Sequence, residues 1–126
     1  MQFAREQPNA NSIAKYESES IWIHGQQYSG SLALSADKIL GDWQCHSVAD
    51  LTPGHMDALL ALDPEVIVIA TGAAPQFPPA PLLHPVMHRG VGIEVMNDGA
   101  AVRTFNILLS EARQAALALI RPGGAD

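Results

Sequence analysis

The chain has 126 residues, 48% of them hydrophobic and 16% charged, which is the size and composition of one domain with one core and excludes a disordered segment. Its formal charge of −6, with seven Lys and Arg residues scattered from Arg5 to Arg121, argues against phosphate backbones and hence against nucleic acid as a partner. A single cysteine, Cys45, excludes an internal disulfide and a thiolate metal cage, and no apolar run approaches the roughly 20 residues that span a bilayer.

Residues 1–11 are polar and aperiodic and read as a flexible lead-in without the apolar region of a secretory signal. With the lone thiol, this leads to the expectation of a cytoplasmic protein that is not embedded in a membrane. Residues 12–122 form the expected globular domain, and 123–126 a tail. Ser12 to Glu17 suits a short edge strand anchored by Ile13. Ile21 to His24 and Tyr28 to Leu34 alternate apolar and polar residues, the period of half-buried strands. Gly25-Gln26 between them suits a type II′ hairpin turn, with Gly at its first central position. Trp43 to Val48 is a weaker strand pattern, broken by Gln44.

Leu51-Thr52-Pro53 marks a helix start: Thr52 caps, Pro53 fits the first turn, and Leu51 with Met56 makes a hydrophobic staple. Met56, Leu59 and Leu60 line one face of a helix near 53–62. Asp63-Pro64 ends it and hands over to Glu65-Val66-Ile67-Val68-Ile69-Ala70-Thr71. That apolar, largely β-branched run predicts a central strand over 65–71 buried on both faces, closed by a turn at Gly72.

Residues 73–85 carry prolines at 75, 78, 79, 81 and 85, which preclude a long helix or an interior strand. A short helix around Leu82, Leu83, Val86 and Met87 fits behind them. Val91 to Met96 alternates again, with Glu94 as its polar interruption. Asn97-Asp98-Gly99 then opens a helix over 98–111, with Asp98 as the expected N-cap and Ala101, Phe105, Leu108 and Ala112 on one face. Periodicity alone would carry that helix on through Ala116, Leu119 and Ile120.

No catalytic constellation emerges. His84 and His88 stand at i and i+4, but Pro85 follows His84 and nothing implies a third ligand, so they read as surface histidines and no metal is expected. G-x-S-x-G is absent, Cys45 reads as a small buried hydrophobe, and Thr71-Gly72-Ala73-Ala74 lacks the Lys-Ser/Thr pair of a phosphate-binding loop. An anion site made by the Gly72 turn and Arg103 stays open as an alternative. No cofactor is implied.

Taken together, Ile67 to Gly72, Gly92 to Met96, Ala101 to Leu108, Glu111-Ala112-Arg113 and the hairpin Ile23 to Tyr28 resemble one small-domain family. It includes a mitochondrial assembly factor for respiratory complex I, an adipogenesis-associated mammalian protein and many uncharacterised bacterial and archaeal proteins. The resemblance implies an α/β (α+β) single domain, three-layer β/β/α with a mixed sheet, in which residues 114–120 form a final strand rather than a continued helix. Two departures stand out. Ala112 occupies the place of a turn glycine, at a cost of about 1 kcal/mol if φ is positive there, and Asp98 stands where the family usually carries Thr.

For function the resemblance implies a non-enzymatic protein-interaction or assembly-factor-like role in respiratory or membrane complex biogenesis, with protein partners and a potential homo-oligomer. This role predicts an apolar or mixed patch beside the Pro-rich loop from Pro75 to Pro85. The alternative is a small-molecule or anion-binding domain, or a small enzyme. It would use a cleft between the Thr71-Gly72 turn and the second long helix, lined by Glu94, Asn97, Asp98, Arg103, Thr104 and Asn106. The competing structural reading is that Thr71 and Asn106 satisfy backbone groups beside the turn.

Overall fold

A computed structural model describes residues 10–122. Chain order gives strands β1 (Lys15–Tyr16), β2 (Ser20–Ile23), β3 (Gln26–Ser29), β4 (Leu32–Ser35) and β5 (Ile39–Leu40). Helix α1 (Pro53–Leu60), β6 (Val66–Ala70), α2 (Ala80–His88), β7 (Gly92–Met96), α3 (Asp98–Ser110) and β8 (Ala115–Leu119) follow. Strands β1-β2-β3 make a small antiparallel sheet, and the large mixed sheet runs β5-β4-β8-β6-β7. Within it β6 is parallel to both neighbours, β7 and β8, while β4 is antiparallel to β8.

The aliphatic run is an interior strand wet on neither face. Val68 and Ala70 pack with Leu117, Leu119 and the α3 side chains Ala101, Phe105 and Leu109, and Ile21 and Ile23 of the small sheet close the same cluster. Ile67 and Ile69 turn the other way, with Ala116 and Ala118, onto Met56 and Leu59 of α1 and Val86 of α2. Three layers result: α1 and α2, the large sheet, and an outer layer shared by α3 and the small sheet. The period of two in β6 and β8 thus feeds two cores, which is why neither strand has a polar position. Phe105 is fully buried, and truncating such a ring to Ala costs about 3–5 kcal/mol.

Helix α1 starts as the sequence dictates. Thr52 Oγ1 accepts from the His55 amide at 3.2 Å, and His55 Nδ1 accepts from the Thr52 amide at 3.0 Å, so histidine completes a reciprocal capping box.

Several local readings are corrected. The first hairpin turns on His24 and Gly25, both at positive φ (52° and 80°), because Ile23 pairs with Gln26. That is the type I′ pattern, whose twist matches the strands. Tyr28 to Leu34 is two strands in two sheets, since Gly30 at φ 78° bends the chain between β3 and β4. Trp43 to Val48 forms no strand. Cys45 N donates to the Ser31 hydroxyl at 3.1 Å, and Arg121 N donates to the Cys45 carbonyl at 3.2 Å. The N-cap of α3 is Asn97, whose Oδ1 accepts from the Ala100 amide at 2.9 Å, and Asp98 is the first helical residue.

Residues 115–119 form a strand, as the resemblance implied, and α3 stops at Ser110. Ala112 takes φ 58° to make that turn. The turn is clasped from outside: Glu65 accepts from Arg113 Nε at 2.9 Å and from the Gln114 amide at 3.0 Å. Those two bonds, the backbone one foremost, hold the Glu65 carboxyl below its usual range.

Of the lead-in expected over 1–11, Ala10 and Asn11 are packed. Asn11 donates from its amide to Ala36 O at 2.8 Å and from Nδ2 to Ser35 O at 3.0 Å. The rest of that lead-in, and the tail at 123–126, lie outside the described residues. Among the described residues, no helix is long and apolar enough to cross a membrane.

Candidate functional site

The end of β6 and the start of α3 meet as the sequence suggested. The Asp98 amide donates to the Gly72 carbonyl at 2.8 Å, and the Gly72 amide donates to Asp98 Oδ1 at 2.8 Å. Gly72 reaches this arrangement at φ 97°, a backbone conformation that favours glycine. Thr71 organises the next turn: its hydroxyl donates to the Ala74 carbonyl at 2.9 Å and accepts from the Gln76 amide at 2.9 Å. The gap between turn and helix is therefore laced shut by its own hydrogen bonds.

Sequence reasoning missed the fourth member, Arg121. It is 3% exposed, with Nε 3.5 Å from Asp98 Oδ2, Nη2 donating to the Glu17 carbonyl at 3.3 Å, and its guanidinium 5.7 Å from the Tyr16 ring centroid. The approach to Asp98 is an ion-pair distance without hydrogen-bond alignment, so Nε and Nη1 have no acceptor among the described residues. A buried cation needs a counter-charge, and Asp98 supplies it. The available signal was an arginine closing a fully apolar strand.

The other proposed residues disperse. Arg103 is exposed on α3 and folds toward Gly99, its Nη1 3.4 Å from where a Cβ on that glycine would lie. Thr104 Oγ1 donates to Met96 Sδ at 3.3 Å. Asn106 Nδ2 donates to Ile13 O at 2.9 Å and its Oδ1 accepts from Ile13 N at 2.7 Å, pinning the segment before β1 to α3. Glu94 stands exposed on β7 and makes no ion pair among the described residues. Thr71, Gly72 and Asp98 thus meet, with Asn97 capping the helix beside them, whereas Arg103, Thr104, Asn106 and Glu94 serve separate places. Among the described residues, no group of three or more His, Cys, Asp and Glu side chains could hold a metal ion. His84 and His88 are both exposed on α2.

Elsewhere, two clefts open among the described residues. One, of about 330 Å³, lies between Trp43-Gln44 and the start of α1. His55 lines it, but its ring is committed: Nδ1 serves the capping box and Nε2 lies 2.6 Å from the Gln44 carbonyl. Cys45, beside it, is buried, and desolvation pushes its thiol pKa up. The second cleft, of about 380 Å³, runs between α2 and β7 beneath Phe77 and Met87. Those two side chains are 73% and 57% exposed. They make an apolar rim beside the Pro-rich loop, the place the interaction reading named for a patch.

Residues 13–120 match the family described as protein of unknown function (DUF498/DUF598). NADH dehydrogenase (ubiquinone) 1 alpha subcomplex assembly factor 3 of Homo sapiens is 31% identical over 122 residues, 95% of this chain. The chain spans 66% of that protein, just under two thirds of its length. A 13 kDa major membrane protein of Francisella tularensis is 29% identical over 96 residues, covering 75% of this chain and 77% of that one. Among solved structures, an NMR structure of a Xanthomonas campestris protein superposes with a TM-score of 0.81 at 36% identity, covering all of this chain and 96% of its own.

Proposed function

The chain belongs to the DUF498/DUF598 family, and from that premise we propose that it is a non-enzymatic, assembly-factor-like protein that binds other proteins during biogenesis of a respiratory or membrane complex. The reading rests on the likeness to the assembly factor over almost the whole chain. The apolar rim of Phe77 and Met87 over the α2–β7 cleft supports it. Two large exposed hydrophobic side chains lining one cleft are the kind of patch that marks a protein contact. The polar residues around Gly72 and Asp98 lend no comparable support to a reaction, because their donors and acceptors are mostly spent on one another.

On this reading the protein is cytoplasmic and meets its client at the membrane or on the way to it. The test is affinity purification from the native host in mild detergent, with crosslinking before lysis. The expected result is a defined subunit of a membrane complex crosslinked to the α2–β7 face. Recovery of the protein alone, at native abundance, would overturn the reading.

The small-ligand alternative keeps one observation in its favour: Nε and Nη1 of Arg121, at the start of α3, have no acceptor among the described residues. Its test is a fluorescence or calorimetric titration with inorganic phosphate and small carboxylates, with Arg121→Met as the control.

A further inference from the structure

Strand β7 is an edge of the large sheet, and its geometry specifies what can cover it. The Gly92 amide donates to Glu65 O at 2.9 Å, and the Met96 carbonyl accepts from the Thr71 amide at 3.1 Å. Both therefore point inward to β6. By the alternation of a strand, the N–H and C=O groups of Ile93 and Val95 point outward, away from the sheet. The opposite edge is blunted by brevity, since β5 has two residues, and the small sheet ends on the polar β3, Gln26–Ser29. β7 has five residues and carries no Pro or Lys, the usual guards of an edge.

The two faces of β7 differ. Ile93 and Val95 pair with Ile67 and Ile69 and share their face, beside the cleft whose other walls are Leu83, Val91, Phe77 and Met87. Glu94 pairs with Val68 and stands on the α3 face, exposed and without a cation among the described residues. A segment lying along this edge meets apolar surface on one side and a lone carboxylate on the other. Self-pairing of antiparallel β7 strands in full register would set Glu94 against its own copy, a like-charge contact that destabilises a strand pair.

We propose that β7 accepts an extended segment of a client protein as an added strand. The segment alternates apolar side chains, which enter the α2–β7 cleft, with a Lys or Arg that meets Glu94. Main-chain bonds to Ile93 and Val95 supply affinity, and the alternating side chains supply selectivity. This rests on the protein-interaction reading above and adds to it the place, the backbone conformation and the charge of the partner.

The experiment uses the full chain and two synthetic peptides of alternating Val/Ile and polar residues, one with Lys at the central polar position and one with Glu. Affinity is measured by calorimetry and the site by amide hydrogen exchange. The Lys peptide is expected to bind more tightly and to slow exchange at Ile93 and Val95. Glu94→Lys should invert the preference between the peptides. Val95→Pro removes an outward N–H and no internal bond, so it should leave the thermal transition in place while weakening binding about tenfold.

Binding that ignores Val95→Pro and Glu94→Lys, or no binding by either peptide, would overturn the proposal. So would protection of Ile93 and Val95 in the free protein that disappears on dilution, since the occupant would then be a second copy. A client crosslinked in the host to some other face would leave the interaction reading intact while refuting this one.

Discussion

Gly72 and Asp98 exchange two hydrogen bonds of 2.8 Å, amide to carbonyl in one direction and amide to carboxylate in the other. Asp98 is thereby shared between a turn, a helix start and the buried Arg121 at the end of the β8 segment. Removing the carboxylate leaves a 3% exposed guanidinium without its counter-charge. Asp98→Ala is expected to cost about 3–5 kcal/mol in urea unfolding. Asp98→Thr should cost nearly as much alone, and much less in the double variant with Arg121→Met. Independent, additive effects of the two substitutions would contradict the coupling.

Ala112→Gly should raise stability by about 1 kcal/mol, because Ala112 sits at φ 58° between α3 and β8. The sign decides the matter: glycine in a continuing helix would instead lower stability by a similar amount. The urea midpoint of the variant reads it directly.

Thr71→Val keeps shape but removes the hydroxyl that bonds both Ala74 and Gln76. The expected cost is about 1–2 kcal/mol, with faster amide exchange at Gln76. If that hydroxyl also orients the loop that carries Phe77, client binding weakens in the same variant. Unchanged exchange at Gln76 would show that the prolines alone hold the loop.

Cys45 is buried, and desolvation raises its thiol pKa above the ordinary value. The unfolded thiol ionises near its normal pKa of about 8.5, so a raised folded value favours the folded state below that pH. Stability should fall as pH climbs from there through the folded pKa. Alkylation by iodoacetamide at pH 8 should be slow in the folded protein and fast in urea. Equal rates would mean an accessible thiolate.

Much of this architecture was legible because apolar period and punctuation agreed. Thr52-Pro53 and Asp63-Pro64 bracket α1, and Asp63-Pro64 with Gly72 cut the aliphatic run to the length of an interior strand. What escaped was non-local or depended on φ. The division of 28–34 between two sheets turns on Gly30 alone, and alternation reads the same on either side of it. The helical stripe past Ala112 was misleading because every residue from Ala115 to Ile120 is buried, so any periodicity fits. In the candidate site, the expected cleft residues Thr71, Gly72 and Asp98 sit together through turn and helix-start hydrogen bonds, while the cap expected at Asp98 falls to Asn97. Arg121 was missed because its partner lies 23 residues away in sequence (121 − 98) and across the fold.

The central claim is that the α2–β7 face binds a client during assembly of a membrane complex. Its most direct measurement is native gel electrophoresis of membranes from a host lacking this gene, complemented with the wild-type chain or with Phe77→Ser/Met87→Ser. Both side chains are exposed, so the double variant should fold normally. The account predicts that wild type restores a membrane complex lost in the deletion strain and that the double variant leaves it incomplete. Full restoration by the variant, or a deletion strain with every complex intact, would contradict it.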